Sequence, residues 1–472
     1  MRSLATLLRA MGHEVSGSDS GAISEIEALR QQGIDARHGH TAEHLDGADL
    51  VVASAAVPTD NPELAAARER GIPVLSHAQA LGALMAARDG IGVAGTHGKS
   101  TTTALVAHIL ETAGLHPTLA GGAHALDFDG FARLGNGPHL VAEADEYGRR
   151  FLELHPRRAI ITGVEPDHLD YYGSFDAVQA AFQQFVSGMH PDGLVFTCED
   201  EQHLARLPLT RRRMRYGWAG HADWRLERFQ AHAGGGATFA VRRPDGERRT
   251  FDMLLSGRHH AANAVAALAL TRELGVPESA ARAALATFRG TRRRFETVAQ
   301  AGGVWVVDDY AHHPTAVAAN ISAARDVHNG RIVAVFQPHT IHRTLILLEE
   351  LRASFTAADR VIMAPIYQPA GRGTDVPPIT SEAVVAGMAH PDAVAAPSMD
   401  AAYALAQAEL QPGTMVLVLG AGDITTLAQR LGADVQHGSS VGDESRNAGS
   451  RAIRSSTTPA TTPGAVTVRT AS

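Results

Sequence analysis

Apolar residues at the start of the chain recur at helical spacing. Leu4, Leu7, Leu8 and Met11 lie three or four positions apart, and Gly12 follows where a helix C-terminus favours a residue tolerant of positive φ. The chain therefore opens with a helix. Short β-like runs then alternate with helical ones, giving strands over 14–18, 50–54 and 72–75 and helices over 24–32, 62–70 and 78–87. Such alternation predicts a parallel sheet with helical crossovers. A domain of this kind ordinarily begins with a strand, so a start directly in a helix is unusual.

The pattern resets near residue 90. A strand over 91–94 runs through Gly95-Thr96-His97-Gly98-Lys99-Ser100 into a helix over 101–113. Further α/β material follows: a strand over 159–164 and helices over 175–187, 261–274 and 278–287. Between them, 226–251 carries the turn signals Gly234-Gly235-Gly236 and Pro244-Asp245-Gly246 and predicts an antiparallel hairpin, hence a mixed sheet. A third alternation has strands over 304–307, 331–336, 360–364 and 416–419 and a helix over 424–431. Beyond Gly432 the composition turns to Ser, Thr, Gly, Arg and Ala, too little apolar material to offset chain entropy. The expected domains are 1–89, 90–294 and 295–432, with 433–472 a disordered tail.

Composition narrows the class. A chain of 472 residues exceeds one ordinary core, and 44% hydrophobic with 19% charged residues and 46 Gly fits a multi-domain α/β enzyme. A net charge of −8 argues against nucleic-acid binding. The single cysteine, Cys198, allows no intramolecular disulfide, and no run of about 18 apolar residues exists to span a membrane. His13, Glu14 and Asp19 come too early for a secretory signal. The expectation is a cytoplasmic protein.

The most informative segment is the strand, Gly-Thr-His-Gly-Lys-Ser loop and helix. Loop amides and a helix N-terminus can hold phosphate oxygens, Lys99 adds a point charge, and the Ser100 hydroxyl can ligate Mg²⁺. The loop is shorter than the general phosphate-loop spacing, because Val93 stands where that pattern has its first glycine. Two acidic clusters follow apolar strands: Glu143-Ala144-Asp145-Glu146, and Glu165-Pro166-Asp167-His168. The carboxyl ends of parallel strands face the ligand crevice, so both clusters can reach a phosphate-bound Mg²⁺. In the third domain, Asp308-Asp309-Tyr310-Ala311-His312-His313-Pro314 and Phe336-Gln337-Pro338-His339 with Arg343 end strands and can complete the site across a cleft. Arg292–294 is as plausibly a solvated patch as a phosphate contact, and Gly420-Ala421-Gly422-Asp423 reads as a turn.

In this order these segments resemble the Mur ligase family, ATP-dependent amide-bond-forming enzymes of peptidoglycan precursor synthesis. The resemblance runs from about residue 1 to 432. It rests also on Val15-Ser16-Gly17-Ser18-Asp19, Phe151-Leu152, Leu169-Asp170-Tyr171, 257–263, Arg293-Arg294-Phe295 and Thr344. It implies a Rossmann-like N-terminal domain for a UDP-sugar, a central phosphate-loop ATPase and a Rossmann-like C-terminal domain. It also implies a reaction: ATP phosphorylates the lactyl carboxylate of UDP-N-acetylmuramate, and the amine of L-alanine attacks the acyl phosphate. Carried over by position, Gly95, Thr96, His97, Gly98, Lys99, Ser100 and Thr101 cradle ATP. Ser100 and Glu143 hold one Mg²⁺ and His168 a second. Asn263 and Arg294 lie near adenine and phosphates, and Asp309 near the ribose. Tyr310, His312, His339 and Arg343 orient amino acid and sugar, and Ser18, Asp19 and Ser54 take the uridine end. Lys99, His168, His312 and Arg343 are the catalytic set. A monomer or weak dimer is expected.

Four positions depart from the family pattern. Met1 aligns with the start of the first helix, so the first strand and the diphosphate-binding Gly-rich loop are missing. A coding start upstream of Met1 is the expectation. His260 precedes Ala261 where the family has an asparagine after histidine, and Thr340 stands where an arginine is usual. The helix over 175–187 has no lysine, which fits the alanine-adding branch rather than ligases for later residues. A tripeptide-recycling ligase and a non-catalytic nucleotide-binding paralogue stay open as alternatives.

Overall fold

The computed structural model describes residues 1–20, 23–369, 377–440 and 464–469, whose strands form three sheets. In the N-terminal sheet the order is Asp35–His38, Glu14–Asp19, Gly464–Arg469, Leu50–Ala53, Val74–Ser76. The opening helix, Arg2–Ala10, buries Leu4, Ala5, Leu7 and Leu8; the three leucines are as the spacing predicts, whereas Met11, just past the helix, is 41% exposed.

The central position of that sheet bears on two expectations. Gly464–Arg469 lies antiparallel between Glu14–Asp19 and Leu50–Ala53, pairing from Glu14↔Arg469 to Asp19↔Gly464 on one side and from Ala53↔Ala465 to Leu50↔Val468 on the other. The position expected to lack a strand is occupied by Gly464–Arg469, which lies within the tail expected to be disordered at 433–472. The physical reason is local. Val466, Thr467 and Val468 are β-branched and suit a pleated strand. Val466 and Val468 enter a core with Leu4, Ala5, Leu8, Val15 and Val52. Two facing strand edges also need partners for their backbone groups. A six-residue strand is too short to alter a compositional reading of forty residues. The tail reading also ends the last helix too soon, since Thr425–Ser440 continues past Gly432 with Val435 buried. Gly432 does not terminate it: a Cβ there would stand 2.6 Å from Val298 Cγ1, so the glycine lets the helix pass close to strand Glu296–Ala301. The rest of the tail, 441–463 and 470–472, lies outside the described residues.

The middle sheet has ten strands. Its parallel centre runs Arg212–Gly217, Leu194–Cys198, Arg158–Ile161, Asp89–Ala94, His139–Glu143, Thr118–Ala125. The predicted hairpin at 226–251 is a three-stranded meander, Trp224–Ala231, Ala237–Arg242 and Arg248–Met253, at one edge. Gly130–Arg133 closes the other edge antiparallel. Helices Lys99–Thr112 and Arg258–Glu273 are buried along most of their length against this sheet.

In the C-terminal sheet Val304–Asp309, Thr414–Leu419, Arg331–Phe336, Arg360–Met363 and Ala393–Ala395 are parallel neighbours, and Glu296–Ala301 is an antiparallel edge strand. Most of the residues predicted for the reaction sit just past the carboxyl ends of parallel strands. They follow Asp89–Ala94, His139–Glu143 and Arg158–Ile161 in the middle domain, and Val304–Asp309 and Arg331–Phe336 in the C-terminal one.

Candidate active site

The phosphate loop is built by local constraint. Gly95 has φ +129°, and a Cβ there would stand 2.2 Å from the Thr162 hydroxyl; Gly98 has φ +78° and caps helix Lys99–Thr112. The loop is pinned to the neighbouring strand end. The Thr96 amide donates to the Gly163 carbonyl at 3.0 Å, the Thr96 hydroxyl accepts from the Glu165 amide at 2.9 Å, and Thr162 donates to the His97 carbonyl. Asn263, on Arg258–Glu273, packs against Gly98, where a Cβ would stand 2.9 Å from its Oδ1.

Lys99 does not project freely. Its ammonium donates to the Gly95 carbonyl at 2.6 Å and pairs with Glu146 at 2.8 Å. Burial alone would lower its pKa, but Glu146, Asp145 and Glu143 outweigh burial and hold it raised, so the amine stays charged. Burial pushes the Glu146 carboxyl up to about 7 against the pull of Lys99. Glu146 is the acid that meets the loop lysine, and sequence reasoning left it as one of a cluster. Spacing does not tell which of three neighbouring acids meets the lysine.

Glu143 accepts the Gly122 amide at 3.0 Å, and Gly122 leaves that room because a Cβ would stand 2.4 Å from the carboxylate. Ser100 is buried at the start of its helix. His168 occupies a left-handed position, φ +55°, with its ring 4.8 Å from that of Tyr147 and its Nδ1 buried without a partner. Burial is the main reason its pKa is lowered, so the imidazole is neutral and able to ligate. Tyr147 gave no signal in the sequence.

Arg343 is one of the contacts by which the C-terminal domain reaches this site. Arg343 donates to Asp167 Oδ1 through Nη2 at 2.6 Å and Nε at 3.2 Å, and its Nη1 lies 3.1 Å from His339 Nδ1. Burial opposes ionisation of Asp167, yet Arg343 and His168 hold its pKa well below the usual carboxylate range. His312 faces the same group, its ring 5.6 Å from that of His339 and its Nδ1 2.9 Å from the Tyr310 carbonyl. Burial and then Arg343 keep it neutral. Arg343, His339, His312 and Asp167 therefore converge, as the strand-end positions predict. Thr340 caps the short helix Ile341–Ile346 at φ +63°, its hydroxyl accepting the Arg343 amide at 3.3 Å. The threonine at this position caps the helix that carries Arg343.

Other predicted residues fall differently. Tyr310 lies between Arg293 and Arg294, each guanidinium 5.0 Å from the ring centre. Asp309 is 4% exposed, and its oxygens accept from the Phe295 amide at 2.6 Å, the Ala311 amide at 2.7 Å and Asn320 Nδ2 at 3.2 Å. A carboxylate so engaged holds the loop that carries Tyr310 and His312, and a lone pair on Oδ2 is its remaining acceptor position for the ribose hydroxyl expected there. His260 is buried with Nδ1 2.7 Å from the Ser256 carbonyl, and burial lowers it to about 4. Ser18 lies in the N-terminal domain with its hydroxyl 2.6 Å from Glu63 and 2.9 Å from His40, and Glu63 also meets His44 at 2.7 Å. Asp19 ends the same strand, and Ser54 follows Leu50–Ala53, its hydroxyl accepting the Ala56 amide at 3.3 Å.

Among the described residues no helix is long and apolar enough to cross a membrane. Comparison with known proteins agrees with this geometry. Residues 1–89 match the model described as Mur ligase family, catalytic domain, 93–271 the Mur ligase middle domain, and 293–422 the Mur ligase, glutamate ligase domain. The UDP-N-acetylmuramate--L-alanine ligase of Bradyrhizobium diazoefficiens is 41% identical over 443 residues, 91% of this chain and 94% of that protein. That of Chelativorans sp. is 39% identical over 442 residues, 91% and 95%. Among solved structures, the UDP-N-acetylmuramate-alanine ligase of Thermotoga maritima superposes with a TM-score of 0.78 at 26% identity, covering 93% of this chain and 97% of that one. A murein peptide ligase from Psychrobacter arcticus gives 0.67 at 28%, covering 91% and 95%. On this identity and coverage, the chain belongs to the Mur ligase family.

Proposed function

We propose that the chain joins L-alanine to the lactyl carboxylate of UDP-N-acetylmuramate with conversion of ATP to ADP and phosphate, a step of peptidoglycan precursor synthesis in the cytoplasm. The observation that carries this reading is the Arg343–Asp167 contact. It sets His312 and His339 of the C-terminal domain against the Lys99 and His168 side of the middle domain. Identity near 40% to L-alanine ligases over 91% of the chain supports the substrate assignment.

The chemistry follows from charge. A carboxylate is a poor electrophile, and phosphorylation converts one oxygen into a leaving group. Loop amides and the start of helix Lys99–Thr112 take the ATP phosphates, with Lys99 exchanging Glu146 for a phosphate oxygen as negative charge develops. Ser100 and Glu143 present hard oxygen donors, and His168 a buried, unpartnered Nδ1, so the donor set fits Mg²⁺ beside phosphate. When bound, Mg²⁺ supplies charge neutralisation at the phosphate oxygens. Arg343 orients the carboxylate of the incoming substrate, and neutral His312 takes a proton from its ammonium, so that the free amine attacks the acyl phosphate and phosphate leaves. Asn263 and Arg294 border the adenine and phosphates, and Ser18, Asp19 and Ser54 border the uridine.

Phosphate release with Mg-ATP, omitting UDP-N-acetylmuramate and L-alanine in turn, tests this directly. The expected result is release only when both are present. Release with the wall tripeptide in place of L-alanine would assign the chain to the recycling reaction instead. No release with either amine would leave a nucleotide-binding protein without turnover.

A further inference from the structure

The His97 backbone shapes the phosphate loop, but its side chain has no part in the reaction above. The imidazole faces Glu165, with Nε2 3.4 Å from Oε2, and from the other side His313 Nδ1 is also 3.4 Å from that oxygen. The two rings are 4.8 Å apart. Donor atoms from all three residues lie within 4.8 Å of one another. A hydrogen bond from a ring nitrogen to a carboxylate would sit at about 2.7–3.2 Å, and these contacts are longer. His97 Nε2 and both ring nitrogens of His313 are buried without a hydrogen-bond partner, and His313 as a whole is only 5% exposed. Orphaned buried polar atoms are costly and need an explanation.

A four-coordinate ion with bonds of about 2.0–2.1 Å holds its donors about 3.3–3.4 Å apart. Both Glu165 contacts are at that spacing, and the two imidazole donors lie within 4.8 Å of each other. We propose that His97, Glu165 and His313 form a binding site for a tetrahedral divalent transition metal of the zinc type, separate from the Ser100, Glu143 and His168 set. Two imidazoles and one carboxylate suit such an ion rather than Mg²⁺, which prefers six oxygens. Thr315 donates to Glu165 Oε2 at 2.8 Å and fixes the carboxylate, the outer-shell support such sites use. The fourth position is left to water. The consequence is mechanical. His97 belongs to the phosphate loop, Glu165 to the acidic loop beside it, and His313 caps the C-terminal-domain helix Pro314–Val327, so a bound ion ties that domain to the loop. Zn²⁺ then slows turnover by holding the domains together.

Titration of the full-length, nucleotide-free protein with Co²⁺, followed by its visible d–d absorption, tests the site. The expected result is one tetrahedral Co²⁺ per chain, displaced by Zn²⁺. His313→Ala and, separately, the near-isosteric Glu165→Gln each weaken Co²⁺ binding at least tenfold, while His168→Ala leaves the absorption intact. Circular dichroism checks each variant for folding, and Glu165→Gln carries the test if His313→Ala does not fold. Any other pattern overturns the site: no tetrahedral absorption in the parent, absorption unchanged by Glu165→Gln, or absorption lost in His168→Ala.

Discussion

The N-terminal and middle domains place a helix against a parallel-type sheet in the same way, but they fill the sheet differently. In the middle domain Asp89–Ala94 lies at the centre and runs directly through the loop into Lys99–Thr112, so strand, phosphate amides and helix are one continuous stretch. In the N-terminal domain the central strand, which shares a core with Arg2–Ala10, is Gly464–Arg469, drawn from the C-terminal part of the chain and running antiparallel. Backbone pairing is indifferent to that origin, because strand edges offer donors and acceptors to either direction. A phosphate loop is not indifferent, because it needs the strand to lead into the helix. The borrowed strand therefore completes the core of the N-terminal sheet without recreating a diphosphate-binding turn.

The sharpest way to break the comparison is on the side where connectivity makes the site. Lys99→Ala should lower phosphate release by about 10³-fold or more, since it removes a charge aimed at the transferring phosphoryl group. Far-ultraviolet circular dichroism should be unchanged, because the Glu146 carboxyl left behind can take up a proton. Substantial turnover in this variant would remove Lys99 from the mechanism.

On the borrowed side the expected effect is on stability. Deleting residues 464–472 removes Val466 and Val468 from the core, worth about 1.5–3 kcal/mol each. Hydrogen exchange should then accelerate in Glu14–Asp19 and Leu50–Ala53 while Asp89–Ala94 keeps its protection. Equal protection in both forms would mean that the strand adds nothing to the sheet.

The smallest effect concerns the acid beside Lys99. Glu146 is raised from 4.5 to about 7 by burial, so between those values the unfolded chain has released a proton that the folded one retains. Stability contributed by the protonated form is present below pH 4.5 and is lost as pH rises through about 7. Glu146→Gln should flatten that slope in urea midpoints measured across the same window. An unchanged slope would assign the pH dependence to another group.

Most of the fold was legible because it follows periodicity. The opening helix, the strand before the phosphate loop and the helix at Phe175–Gly188 all obey apolar spacing over enough residues to be unambiguous. Positions at the ends of parallel strands were legible for the same reason, so Lys99, Glu143, His168, His312, His339 and Arg343 could be assigned to one crevice. What could not be read were long-range choices. Nothing local tells Asp167 that its partner is Arg343, or that Asp309 will be engaged by the amides of Phe295 and Ala311. The strand at Gly464–Arg469 is the extreme case, since its burial depends on a slot formed by residues hundreds of positions earlier.

That strand also sets an order of events during biosynthesis. Domains usually fold as they emerge from the ribosome, the N-terminal one first. Here Glu14–Asp19 and Leu50–Ala53 are made long before Gly464–Arg469, the strand that lies between them. The middle and C-terminal domains can mature before that strand is made. Translation that stalls before residue 464 leaves Glu14–Asp19 and Leu50–Ala53 without the strand that joins them.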